Sequence, residues 1–195
     1  MKTTPALAWA FLFLVLTAGP AQAGAEAALD FDRAALPDTV ADFPGFQSRI
    51  FHEGRVFIAG QPDEEALRAL PGRGVTLVVN LRTPEEMENR ERIPFDEAAV
   101  LDELDIEYVC IPLGGDEHPY TPTAVTAFAE AVARHKGPVL LHCTVAWRAS
   151  HLWAAYLVEI HDFPVSEAYA RGEAMGIGRT PFAKFLDRDL KMVEE

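Results

Sequence analysis

The chain predicts an α/β fold: a mostly parallel sheet of four to five strands flanked by helices. Three observations carry that prediction. Val75-Thr76-Leu77-Val78-Val79-Asn80-Leu81 and Val139-Leu140-Leu141 are short, nearly unbroken apolar runs, as strands buried on both faces require. Stretches with helical spacing alternate with them, which is the pattern of a parallel sheet with crossover helices. Recurrent Thr-Pro helix openings and Gly or Pro stops punctuate the alternation.

In chain order, Arg55-Val56-Phe57-Ile58-Ala59-Gly60 reads as the first strand, closed by Gly60-Gln61-Pro62. A helix from about Asp63 places Ala66, Leu67 and Leu70 on one face, and Gly72 and Gly74 stop it. After the Val75–Leu81 strand, Thr83-Pro84-Glu85-Glu86 opens the next helix with Thr at the N-cap, Pro first in the helix and Glu86 completing a capping box. Phe95, Ala98, Ala99, Leu101 and Leu104 keep helical spacing, and Ile106 to Leu113 reads as a strand with Cys110 in the core. Thr121-Pro122 repeats the helix opening, and Val125, Phe128, Ala129 and Val132 follow until Gly137-Pro138. A long helix from Arg148 buries Leu152, Trp153, Tyr156 and Leu157. Two more begin near Pro164 and Thr180-Pro181, the last bearing Phe182, Phe185, Leu186 and Leu190.

Residues 1–23 carry one charge, Lys2, an apolar run from Ala6 to Leu16 and an Ala21-Gln22-Ala23 cleavage pattern. That is a secretory signal peptide; the apolar run is too short for a membrane span, and no later stretch is long enough. Residues 24–44, with Pro37 and Pro44, read as an irregular lead-in, and 45–195 as one domain. The expected location is exported, in a bacterial periplasm. A formal net charge of −13 and no basic stripe exclude nucleic acid as a partner. Two cysteines, Cys110 and Cys143, are too few for a disulfide framework, although an oxidising compartment would let them pair and silence a reactive thiol.

The chemistry concentrates in His142-Cys143-Thr144-Val145-Ala146-Trp147-Arg148. A strand ends, a tight loop follows and a helix begins, so loop amides and the helix dipole converge on one point. A field that holds an oxyanion also stabilises a thiolate, which makes Cys143 the candidate nucleophile. Arg148 offers a planar two-pronged donor to an anion held by Thr144, Val145, Ala146 and Trp147. Asn80, Asp116 and Cys143 all fall at or just beyond the carboxyl ends of strands, where ligands of such sheets sit. Asn80 reads as structural, bonding loop backbone, and Arg82 either lines the site or pairs with Glu86. His151 and His161 have no partners at metal-ligand spacing, and no cofactor is implied.

These residues resemble the branch of protein tyrosine and dual-specificity phosphatase-like proteins with four residues between Cys and Arg. Ala59-Gly60-Gln61-Pro62, Gly74-Val75 and Val79-Asn80-Leu81-Arg82 with Glu85 and Glu86 extend the likeness to a bacterial family sometimes fused to β-lactamase-like hydrolases or NAD kinases, over about residues 45–162. The resemblance implies a cysteine-phosphatase-like fold and hydrolysis of a phosphate monoester through a phosphocysteine. Cys143 would attack phosphorus while the loop amides and Arg148 hold the equatorial oxygens. Asp116 stands where the family's general acid would, with Glu117 and His118 as neighbours, and His142 would orient the loop. The substrate would be a phosphorylated protein or a small phosphomonoester.

Three features set this loop apart from the family's more familiar form. Arg148 comes one residue earlier than in a five-residue loop, no glycine supplies a positive φ, and Ala149 stands where a hydroxyl often helps the thiolate leave, with Ser150 and Thr144 as substitutes. A rhodanese-type sulfurtransferase carrying a persulfide on Cys143 has the same loop length. A catalytically inactive phosphatase-like domain that binds anions is the third reading.

Overall fold

The computed structural model describes residues 32–190. The expected signal peptide and the first residues of the lead-in lie outside them. The chain forms a sheet of six strands rather than four or five: β1 (Asp38–Val40), β2 (Ile50–Glu53), β3 (Val56–Ala59), β4 (Leu77–Asn80), β5 (Glu107–Cys110) and β6 (Val139–His142), in the order β1-β2-β3-β6-β4-β5. β3, β6, β4 and β5 are mutually parallel, as expected. β1 and β2 extend that core by antiparallel pairing, so the lead-in is not wholly irregular.

Side-chain alternation explains why the sheet is covered on both faces. Along β3, β4 and β6, Val56, Ile58, Leu77, Val79, Val139 and Leu141 enter one core cluster. The intervening Phe57, Ala59, Val78 and Leu140 enter the other. The larger cluster is filled by α4 (Pro122–Ala133), α5 (Trp147–His161), α6 (Val165–Ala174) and α7 (Phe182–Phe185), with Phe128, Trp153, Phe182 and Phe185 fully buried. The smaller is closed by α1 (Glu64–Ala69), the following single 3-10 turn and α3 (Glu97–Glu103). The short α2 (Pro84–Glu88) has the full capping box, Thr83 Oγ1 accepting from the Glu86 amide and Glu86 from the Thr83 amide. At α4, Thr121 occupies the N-cap position but its hydroxyl makes no capping bond.

The topology sets the site. β6 inserts between β3 and β4, so Ala59 and Asn80 both register against His142, and Asn80 against Cys110. The carboxyl ends of four parallel strands therefore lie level, each followed by a residue block that the sequence marks. Cys110 departs from its expected core position. It sits at the end of an edge strand whose two end residues are exposed and whose middle two are half-buried, and is itself exposed. Nor is it paired with Cys143: both thiols are free. β4 separates the two strands, which puts the cysteines' backbones about 10 Å apart at two strand spacings, beyond a disulfide's reach of about 7 Å.

Candidate active site

Cys143 follows β6 directly, its amide donating to Ala59 O at 3.2 Å, and it is 1% exposed. The loop is stitched to the end of β3: Thr144 O accepts from the Gln61 amide at 3.0 Å, and Val145 bridges Gly60. A Cβ at Gly60 would lie 2.6 Å from Ser48 Oγ and 3.0 Å from Thr144 O, so only glycine permits this approach. The positive φ that the glycine-free loop needs is supplied by Ala146, at +68°, which is also the N-cap of α5. Ser150 donates through both its amide and its hydroxyl to Ala146 O, at 2.8 and 3.0 Å, and so secures that turn rather than facing the thiol. Among the described residues, the amides of Thr144, Val145, Trp147 and Arg148 donate to no other backbone group, while the Gly60–Val145 bridge turns the Ala146 amide to the end of β3. Four unspent backbone donors at the N-terminus of a fifteen-residue helix are an anion-binding arrangement.

Arg148 is clamped. Its Nη1 donates to Glu86 Oε2 at 2.7 Å, Leu113 O at 2.6 Å and Leu81 O at 3.3 Å. Its Nη2 reaches Glu86 Oε1 and Thr144 Oγ1, both at 2.8 Å. Thr144 in turn donates to Glu86 Oε1 at 3.0 Å. Partial burial alone would push the Glu86 carboxyl up. The hydrogen bonds from Arg148, the Thr83 amide and Thr144 outweigh it and bring it down to about 2. Burial would also lower the Arg148 guanidinium, but Glu86 and the nearby Cys143 more than offset this and raise it. Glu86 therefore closes the loop from outside, tying the Arg at its end to the Thr at its start.

A second, fully buried network lies on the opposite face of β6, where alternation directs His142. His142 Nε2 meets Glu97 Oε1 at 2.8 Å, with both side chains at most 1% exposed. Glu97 Oε2 accepts from Gln61 Nε2 at 2.7 Å, and Gln61 Oε1 accepts from Arg82 Nη1 at 2.8 Å. Arg82 Nη2 reaches Glu86 O at 3.3 Å, while its Nε is buried without a partner 3.7 Å from Glu86 Oε1. Burial dominates in lowering the Arg82 guanidinium, against the raising influence of Glu86, Glu97 and Cys143. Burial would raise Glu97, yet His142, Gln61 and Arg82 outweigh it and hold the carboxyl below its ordinary value.

The expected site residues thus divide. Cys143, His142, Thr144, Ala146, Arg148 and Arg82 converge, and Asn80 supports them, Asn80 Oδ1 accepting from the Arg82 amide at 2.8 Å. Val145 and Trp147 are the loop's exposed apolar residues, at 55% and 40%, and Trp147 stands edge-on to His151. Asp116 is exposed in the turn closed by the Gly114 amide on His118 O at 2.7 Å. With Glu117, His118, Thr83, Pro84 and Glu85 it lines a cleft of about 350 Å³. That turn flanks the site: a Cβ on Gly114 would lie 3.6 Å from Arg148 Nη1. No cluster of metal-ligating side chains occurs among the described residues.

Sequence reasoning missed three partners. Glu86 is marked as a capping residue, as a partner for Arg82 and within a family-like block, Gln61 as part of a strand-closing turn and of the Gly-Gln-Pro block, neither with these contacts, and Glu97 carries no signal at all.

The family described as "DSP-PTPase phosphatase fused to NAD+ Kinase" matches residues 46–184. A "Beta-lactamase hydrolase-like protein" of Xylella fastidiosa (strain 9a5c) is 29% identical over 134 residues, covering 69% of the chain and 30% of the relative, so the chain spans under a third of that relative's length. A putative phosphatase (DUF442) from Shewanella putrefaciens CN-32 is 26% identical, covering 68% of this chain and 85% of that one, with a TM-score of 0.53. P. aeruginosa TpbA in complex with phosphotyrosine shares the fold at 17% identity and a TM-score of 0.53, over 71% and 78% of the two chains. The family match covers all the elements that build the cysteine loop and its two supporting networks, and on that ground the chain belongs to the family described as "DSP-PTPase phosphatase fused to NAD+ Kinase".

Proposed function

We propose that the protein is a cysteine-dependent phosphatase that hydrolyses a phosphate monoester through a phosphocysteine on Cys143. The observation that carries this reading is a buried thiol at the mouth of a loop with four unspent amides, on the N-terminus of α5. The Cys143 thiolate attacks phosphorus, the leaving oxygen departs with a proton, and water then cleaves the sulfur–phosphorus bond to release inorganic phosphate and the thiolate. Loop amides hold the equatorial oxygens. Arg148 spends its terminal nitrogens on the protein, so its part is to fix the loop and supply charge, with Nε–H left to donate.

Asp116 is the general acid of this proposal, on the strength of its place in the turn beside Arg148. The substrate is a phosphorylated protein or small phosphomonoester, and TpbA's complex with phosphotyrosine makes an aryl phosphate the first to try. Export of the mature chain to the periplasm rests on the Ala21-Gln22-Ala23 pattern and is tested by N-terminal sequencing of the secreted product.

The test is hydrolysis of para-nitrophenyl phosphate by the reduced chain beside Cys143→Ser. Turnover in the first and none in the second is expected; equal turnover in both rejects the thiol. The engagement of both Arg148 terminal nitrogens by protein acceptors favours one alternative, an inactive anion-binding domain. Phosphate or vanadate binding without turnover of any phosphomonoester identifies that case.

A further inference from the structure

We infer that Glu97 is a positioning residue of this site: by fixing the hydrogen-bond polarity of a buried chain, it sets both the His142 ring beside the nucleophile and the Arg82 guanidinium next to it. This deepens the phosphatase reading and rests on it for its kinetic consequence.

Arg82 has only N–H groups to offer, and an ionised carboxylate only accepts. Gln61 lies between the two, so its amide has one permitted orientation: Oε1 toward Arg82 Nη1 and Nε2 toward Glu97 Oε2, as found at 2.8 and 2.7 Å. The second Glu97 oxygen then meets His142 Nε2 at 2.8 Å, and this requires a proton on Nε2 and fixes the ring. Gln61, Glu97, His142 and Arg82 are each at most 2% exposed, so no water is at hand to repair a mismatch. The chain also joins separate blocks of sequence. It begins beside the turn whose amide holds Thr144 O, and ends on the residue whose peptide leads into Cys143.

Polarity of this kind makes a sharp prediction. Glu97→Gln keeps the size but either presents its NH2 to Gln61 Nε2 or turns it on His142, whose proton must then move to Nδ1, a buried nitrogen with no hydrogen-bond partner. Flipping Gln61 to receive that NH2 turns Gln61 Nε2 against Arg82. Gln61→Glu sets two carboxylates against each other. The exchange Gln61→Glu with Glu97→Gln restores each link of the Arg82–His142 chain: Arg82 donates to the new carboxylate, the new amide donates to it from the other side, and its oxygen accepts from His142 Nε2–H, while the bond from Gln61 Nε2 to Pro62 O at 3.1 Å is given up. Net charge and volume are unchanged.

The experiment measures, for the full reduced chain and these three variants, turnover of para-nitrophenyl phosphate and the alkylation rates of Cys143 by iodoacetate and by iodoacetamide. Peptide mass spectrometry keeps the exposed Cys110 separate. The anionic reagent reports the anion site and the neutral one simple access, so the ratio does not depend on the enzyme having turnover. Each single variant is expected to lose about tenfold or more in kcat and in the iodoacetate preference. The exchanged pair should return to within about threefold of the parent. Single variants that match the parent overturn the proposal. So does an exchanged pair that regains the parent's melting temperature but not its alkylation ratio, since that would be a structural role alone. Should the singles fail to fold, the exchanged pair decides by itself: failure to fold or a lost iodoacetate preference overturns the proposal. A parent with the preference but no turnover removes the phosphatase reading and leaves the positioning role to be judged on the ratios.

Discussion

At the scale of single residues, the site and its surroundings differ in how burial is compensated. Glu97 is buried with two hydrogen-bond partners and the Arg82 charge nearby and stays below its ordinary pKa, whereas His151 is fully buried, neither ring nitrogen has a hydrogen-bond partner, and desolvation lowers it to about 4. His151 is therefore neutral in the folded protein at physiological pH, while the unfolded chain takes up its proton near 6.5. Between those values the unfolded state binds more protons, so stability falls as pH drops from about 6.5 toward 4. His151→Phe, which keeps a flat ring under Trp147, is expected to flatten that part of the stability profile. Urea denaturation at pH 7 and pH 4.5 measures it, and an unchanged pH dependence contradicts the assignment. The two buried groups were unequally visible in the sequence: His151 could be dismissed as a metal ligand, but nothing in a local pattern says that a carboxylate at 97 will meet a histidine at 142.

At the scale of elements, the loop and α5 act as one unit. The helix begins at Trp147 because Ala146 takes a left-handed conformation and redirects the chain, a task usually given to glycine. A left-handed alanine costs about 1–2 kcal/mol, and glycine returns about 0.5–1 kcal/mol of that as added freedom of the unfolded chain. Ala146 is also 3% exposed, so glycine gives up a buried methyl worth about 0.8 kcal/mol, and Ala146→Gly is expected to stay within about 1 kcal/mol of the parent in chemical denaturation; a loss above about 2 kcal/mol contradicts the strain. Because Ala146 O anchors Ser150, the turn and the first helical turn are held together. The sequence revealed the need for a positive φ and the lack of glycine, but not which residue would adopt it. That depends on the Gly60–Val145 bridge, a contact between segments far apart in the chain.

Across the whole molecule, the parallel core was legible and its extension was not. The apolar runs of β3, β4 and β6 are long enough to announce strands buried on both faces, and capping signatures marked the helices between them. Ile50-Phe51-His52-Glu53 is too short and too mixed to stand out, and it becomes a strand only because Gly54, at a φ of +59°, turns it back onto β3. β5 misled in the other direction: as the outer strand of the sheet it leaves Cys110 exposed. The linear cysteine motif needed no fold to be seen. Its supports did, because Glu86 and Glu97 come to it only when β6 slots between β3 and β4. That insertion brings one clamp to Arg148 and another to His142, on either side of Cys143. The most direct test of the central claim is to quench the reduced enzyme in acid during turnover of para-nitrophenyl phosphate and analyse the peptides by mass spectrometry. The account predicts a phosphoryl group on the Cys143 peptide, absent in Cys143→Ser; turnover with no such adduct, or with the phosphoryl group on another residue, would contradict it.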